Sequence, residues 1–126
     1  MDTTGLLIRI LCLPADIQDW DGARDLFLVS KPISPRLELV WADSAYGKDE
    51  LPEWTASACG WQLHVVNRPA EARGFVVVTR RWVVERTFAW LGRNRRLSKD
   101  YEELPETTEA WCYAAMIHLM LRRLAP

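Results

Sequence analysis

Short apolar runs of strand length alternate along this chain with stretches that repeat at helical spacing. That alternation restricts the fold more than any other feature. Residues 6–13 (LLIRILCL), 37–42 (LELVWA), 60–66 (GWQLHVV) and 75–78 (FVVV) read as strands. A helix is expected from Gly22 or Ala23 to about Val29, with Asp19 or Asp21 as its cap, and another over residues 48–57 with Pro52 near its first turn. Helical spacing returns from Arg80 and weakens at Gly92, and a last helix starts around Pro105 and runs to about Leu124. Residues 31–36 (KPISPR) and 67–74 (NRPAEARG) are loops. The order strand, helix, strand, helix, strand, strand, helix indicates a mixed α/β domain. A chain of 126 residues suffices for one modest domain with a real core.

Composition excludes several classes. With 49% hydrophobic and 26% charged residues the chain is soluble and globular rather than disordered. No apolar run reaches about 18 residues, and no signal peptide opens the sequence. The cysteines Cys12, Cys59 and Cys112 are widely spaced without a CxxC, and the only histidines are His64 and His118, which argues against zinc and for a reducing, cytoplasmic setting. Asp16, Asp19 and Asp21 are explained by capping and turn formation. The net charge of −1 says nothing about polyanions, but residues 80–99 hold seven cationic side chains and one acid, Glu85. Such a segment suits nucleic acid and equally a solvated helix face.

Two carboxylates stand out by placement. Asp43 directly follows an expected strand, where open α/β sheets carry their ligand-binding groups and where an aspartate also caps the next turn. Glu85 follows Arg81 by four residues, on a face beside an apolar stripe of Val84, Phe88 and Leu91. The pair reads as a surface ion pair worth about 0.3–0.5 kcal/mol, or as part of a metal site. Hard cations take oxygen ligands, and two of them activate the attacking oxygen and stabilise the leaving oxygen of a phosphodiester. Nearby arginines then hold the DNA backbone. In the last helix Trp111, Ala114, Ala115, His118 and Leu121 form the expected buried face, with His118 as a core histidine.

Five blocks carry a resemblance: residues 2–7 (DTTGLL), 14–19 (PADIQD), 41–46 (WADSAY), 81–91 (RWVVERTFAWL) and 93–102 (RNRRLSKDYE). Through them essentially the whole chain resembles the carboxyl-terminal part of a DDE transposase of a bacterial insertion sequence, of the insertion-sequence four and five superfamily. The resemblance implies an RNase H-like fold, a mixed sheet flanked by helices, and an Asp, Asp, Glu triad around Mg²⁺ or Mn²⁺ in a two-ion site. By motif Asp43 takes the place of the second aspartate and Glu85 that of the glutamate, as catalytic residues and metal ligands. Arg81 and Glu85 fit the family spacing Y-x2-R-x3-E-x6-K, while its tyrosine falls on Val78 and its lysine on Gly92, one residue before Arg93. Arg81, Arg93, Arg95 and Arg96 are the expected DNA contacts.

The family's first aspartate lies on a strand upstream of the matching segment, and Asp2 matches a turn between the second and third strands instead. The resemblance therefore implies an incomplete domain over residues 1–126, without the first strand and one carboxylate. A start codon inside a longer reading frame, or the downstream half of a frameshifted pair, is expected. The implied function is DNA transposition by metal-dependent cutting and joining of transposon ends, with the isolated chain inactive. The alternative is a non-catalytic DNA-binding or dimerising remnant that modulates intact transposase, and a third reading is an unexpressed pseudogene product. Implied partners are transposon-end and target DNA, with a homodimer or pairing with an upstream reading-frame product, in the cytoplasm at the nucleoid and away from membranes.

Overall fold

Two parallel strands joined through one helix lie at the centre of the segment Pro14–Thr79. They are seen in a computed structural model that describes residues 1–48, 50–66 and 81–125. The expected loop at 67–74 and strand at 75–78 lie outside the described residues. Contacts divide the chain into two units, Pro14–Thr79 and Met1–Leu13 with Arg80–Pro126, and each is described by itself.

In the first unit, α1 (Asp19–Ser30) leads through a 3₁₀ turn, Lys31–Ile33, to β1 (Leu39–Asp43). A second 3₁₀ turn, Ser44–Gly47, precedes α2 (Leu51–Cys59), and β2 (Gln62–Val66) follows. The strands pair in parallel from Leu39 opposite Gln62 to Asp43 opposite Val66. A mixed α/β architecture is thus present, its sheet two-stranded among the described residues.

Helix α1 starts earlier than expected. Gln18 occupies the capping position without a side-chain cap bond, so neither Asp19 nor Asp21 is the cap. Both lie in the first turn, where carboxylates complement the positive end of the helix dipole. Ala23 and Phe27 of α1 meet Leu51 and Cys59 of α2 and Trp61 and Leu63 of the β2 segment in one core. Thr55, between Leu51 and Cys59 on the same face, is fully buried, and its hydroxyl donates to the Leu51 carbonyl at 2.7 Å. Phe27 and Trp61 pack edge to face with centroids 5.9 Å apart. Gly60 ends α2 with φ +75°, the left-handed C-cap that lets the chain turn at once into β2.

The second unit holds residues 1–13, α3 (Arg81–Gly92), a 3₁₀ turn at Arg95–Leu97 and α4 (Pro105–Leu124). The Gly5 amide donates to the Asp2 carbonyl at 3.1 Å, the Asp2 amide donates to the Leu6 carbonyl at 2.8 Å, and Gly5 has φ +87°. This is the three-residue hairpin turn with glycine in the left-handed position.

Among the described residues the strand expected at residues 6–13 forms no ladder. Its Ile10 and Cys12 amides instead donate to the Tyr113 hydroxyl at 3.1 Å and to Glu109 Oε1 at 2.8 Å. Two residues of extended chain advance about 7 Å and four residues of helix about 6 Å, so alternate amides match acceptors one helical turn apart. The sequence has strand propensity, and helix side chains accept from two of its amides.

The buried rows of α3 and α4 also differ from expectation. In α3 the buried residues are Val83, Thr87 and Leu91, while Val84 and Phe88 are 40% and 62% exposed. Thr87 explains the shift: its hydroxyl lies 2.8 Å from the Gly5 carbonyl and 2.9 Å from the Val83 carbonyl, so a polar residue is satisfied in the interior. In α4, Cys112 and Met116 are buried, whereas Trp111, Ala114, His118 and Leu121 are exposed and Ala115 is half-buried. His118 is therefore a surface histidine.

Thr87→Val keeps the volume of the side chain but leaves the Gly5 carbonyl without its donor. The expected cost is about 1–3 kcal/mol in urea denaturation. No helix among the described residues is long and apolar enough to cross a membrane.

Candidate functional site

Asp43 closes β1, and its side chain is exposed. Its Oδ1 accepts the Ala45 amide at 2.9 Å and so caps the 3₁₀ turn Ser44–Gly47. Both expected placements coincide: the residue stands at the carboxyl end of a parallel strand and also caps the turn after it. The turn is pressed against β2, where a Cβ at Gly47 would lie 3.2 Å from Val65 Cγ1. Beside it, burial raises the Tyr46 phenol above its ordinary range, and the charges of Asp19 and Asp43 add to the effect. Tyr46 thus remains a protonated donor at neutral pH.

Glu85 lies on the exposed side of α3, with Arg81 Nε 3.2 Å from its Oε1. The side chains are 65% and 60% exposed, so this pair adds little to stability and leaves both groups open to ligands. Two neighbours that sequence reasoning missed fix the helix that carries them. Arg86 lies between the rings of Trp82 at 4.2 Å and Trp90 at 4.7 Å, and Arg123 covers Trp90 at 4.6 Å. Arg86 Nη2 also donates to the Thr4 carbonyl at 2.7 Å. Together with Thr87 it ties the Asp2–Gly5 turn to α3. The signal was present as Trp82, Arg86 and Trp90 at four-residue spacing, which places a cation between two rings on one helix face.

Asp2 organises that turn from the other side. Its Oδ1 accepts from the Thr4 amide and hydroxyl, each at 2.8 Å, and from the Leu6 amide at 2.9 Å. Burial acts to raise its carboxyl, but the Thr4 hydroxyl and the Leu6, Thr4 and Gly5 amides outweigh burial and hold it below the ordinary aspartate value. A depressed folded-state pKa contributes stability above the unfolded value and loses it as pH falls through the folded one. Urea titrations should show the unsubstituted chain losing stability relative to Asp2→Asn as pH falls below about 4. A pH-independent difference would contradict this account, because asparagine keeps the acceptor and removes only the titration.

Of the remaining expected DNA contacts, Arg93 and Arg95 are exposed. Arg96 Nη2 stands 2.9 Å from Glu102 Oε1, and its guanidinium lies 5.2 Å from the centre of the Trp111 ring. Asn94 closes α3 by donating from Nδ2 to the Leu91 carbonyl at 3.1 Å. An open depression follows, lined among the described residues by Arg95, Arg96 and Tyr101.

Exposed carboxylates are the oxygen donors that Mg²⁺ or Mn²⁺ prefers, so the chemistry of Asp43 and Glu85 fits such an ion. Asp43 belongs to the first unit and Glu85 to the second. Among the described residues no three His, Cys, Asp or Glu side chains gather into a metal-binding group. The thiols of Cys12, Cys59 and Cys112 are raised, chiefly by burial, which keeps them protonated and poorly nucleophilic.

A family model described as transposase DDE domain matches residues 1–120. No curated protein and no solved structure matches the chain.

Proposed function

We propose that this chain, which belongs to the transposase DDE domain family, serves DNA transposition through metal-dependent cutting and joining of phosphodiesters at transposon ends. In this reading residues 1–126 are the carboxyl-terminal part of an RNase H-like catalytic domain. The observation that carries it is Asp43, exposed at the end of a parallel strand in the motif that matches the family's second aspartate.

Asp43 and Glu85 would hold the ion, and Mg²⁺ or Mn²⁺ there would supply the charge that activates an attacking oxygen and stabilises a leaving one. The chain's own residues orient and bind. Arg81, 3.2 Å from Glu85, helps to orient that carboxylate and offers further N–H groups to a phosphate. Arg93, Arg95 and Arg96 supply backbone contacts, which position DNA without reading its sequence. The partners are transposon-end and target DNA, with a second copy or an upstream reading-frame product, and the place of action is the cytoplasm at the nucleoid.

A second reading is favoured by the arginine cluster, whose Arg93 and Arg95 are exposed and can hold DNA without a metal ion. In that reading the chain binds DNA or dimerises without catalysis and modulates intact transposase. Co-expression with an intact relative and a marked element separates the two. The enzymatic reading expects transposition to rise, and the rise to vanish in Asp43→Ala and Glu85→Ala. The remnant reading expects transposition to fall, and to fall equally with either substitution. No effect of the chain on transposition would contradict both.

A further inference from the structure

The segment after α3 is built more firmly than an ordinary surface loop. Asn94 turns the chain out of the helix, and the Ser98 hydroxyl donates to the Arg95 carbonyl at 2.8 Å, which fixes the 3₁₀ turn Arg95–Leu97. Asp100 Oδ1 accepts the Thr108 hydroxyl at 3.2 Å and pins the next stretch to α4. These bonds bring Arg95, Arg96 and Tyr101 around one open depression.

Within it Arg96 is held from two sides. The Trp111 ring covers its guanidinium, and Glu102, whose side chain is only 14% exposed, stands 2.9 Å from Nη2. That carboxylate oxygen accepts no hydrogen bond, so the nearest N–H groups of Arg96 are not aimed at it. A guanidinium stacked on one face keeps its in-plane donors for another acceptor, and its fork matches two oxygens of a phosphate. Arg95 makes no ion pair among the described residues. Tyr101 is 57% exposed and adds a neutral hydroxyl donor. Arg95 and Arg96 both border the depression, and Arg96 stands beside the nearly buried carboxylate of Glu102.

We infer that this depression is a preformed clamp for one backbone phosphate of DNA: Arg96 is the oriented fork, Arg95 the second cation and Tyr101 a neutral donor. Trp111 and Glu102 are positioning residues that act through Arg96. The inference rests on the proposed DNA-directed function and adds to it a defined anchor point, with Tyr101 as a contact that charge counting does not reveal.

The test is binding of the purified 126-residue chain to a fluorescent duplex of arbitrary sequence, followed by anisotropy over a range of salt concentrations. Each lost phosphate contact lowers the slope of log affinity against log salt by about 0.9. Arg95→Gln and Arg96→Gln should each weaken binding and reduce the slope by about that amount. Tyr101→Phe should weaken binding several-fold at an unchanged slope, because it removes a donor and no charge. Arg95 and Tyr101 are exposed, so these two variants test the clamp without disturbing the fold, and thermal melts monitor this. Unchanged affinity and slope in Arg95→Gln, together with unchanged affinity in Tyr101→Phe, would overturn the clamp while leaving the DNA-directed function standing. A chain that binds no duplex even at low salt would overturn both.

Discussion

Gly5→Ala should destabilise the second unit by about 2–4 kcal/mol, combining left-handed backbone strain with a steric clash. At φ +87° an alanine is strained whatever the space around it. The added Cβ would also lie 2.7 Å from Thr87 Oγ1 and 3.2 Å from Trp90 Cζ3. Thr87 cannot retreat cheaply, because it is 1% exposed and hydrogen-bonded to the Gly5 carbonyl at 2.8 Å. Gly60→Ala supplies the control. It has a similar backbone, φ +75°, but a Cβ there meets nothing within 4 Å, so only the strain of about 1–2 kcal/mol is expected. Urea denaturation followed by tryptophan fluorescence measures both. Equal losses in the two variants would show that the turn does not press on α3 as described.

Asp43→Asn and Glu85→Gln carry the largest functional effect. Each keeps the size and hydrogen-bonding reach of the side chain. An asparagine in place of Asp43 would still cap the turn, its amide oxygen accepting from the Ala45 N–H as the carboxylate does. Folding should therefore be almost unaffected. Each removes a negative oxygen donor, however, and a neutral amide oxygen holds Mg²⁺ or Mn²⁺ less well than a carboxylate. Any rise in transposition that the chain confers on a complemented system should fall by about a hundred- to a thousandfold, the scale on which a reaction centre depends on one electrostatic stabiliser. Arg81→Gln should be milder, since in the proposed reading it loosens the orientation of Glu85 and removes one phosphate contact while the carboxylate itself stays. A chain whose Asp43→Asn and Glu85→Gln forms retain full effect would act through binding alone.

Much of the first unit was legible because its signals are local. Strand-length apolar runs ended at Asp43 and at Val66, and α2 carries Pro52 in its first turn as proline placement requires. The interior of the second unit was less legible because it depends on polar residues that become satisfied only in three dimensions. Thr87 is buried through the Gly5 and Val83 carbonyls, which moves the inner row of α3 one residue away from Val84 and Phe88. Residues 6–13 have strand composition, yet Glu109 and Tyr113 of α4 take their amides. No local pattern announces an acceptor about a hundred residues away. For the site, spacing singled out Asp43 and the Arg81–Glu85 pair as candidates, with a cap and a surface ion pair as competing readings, and the motif resemblance supplied their expected roles. It did not reveal that Arg86 links α3 to the first turn, or that Arg96 is stacked on Trp111.

The central claim is that Asp43 and Glu85 are ligands of a divalent metal. It is tested most directly by loading the purified chain with Fe²⁺ in place of Mg²⁺, generating hydroxyl radicals at the bound ion, and mapping the backbone cuts by mass spectrometry. The account predicts cuts concentrated beside residues 43 and 85, suppressed by excess Mg²⁺ and lost in Asp43→Asn and Glu85→Gln. Cuts elsewhere, or cuts at these positions that persist in both variants, would contradict it.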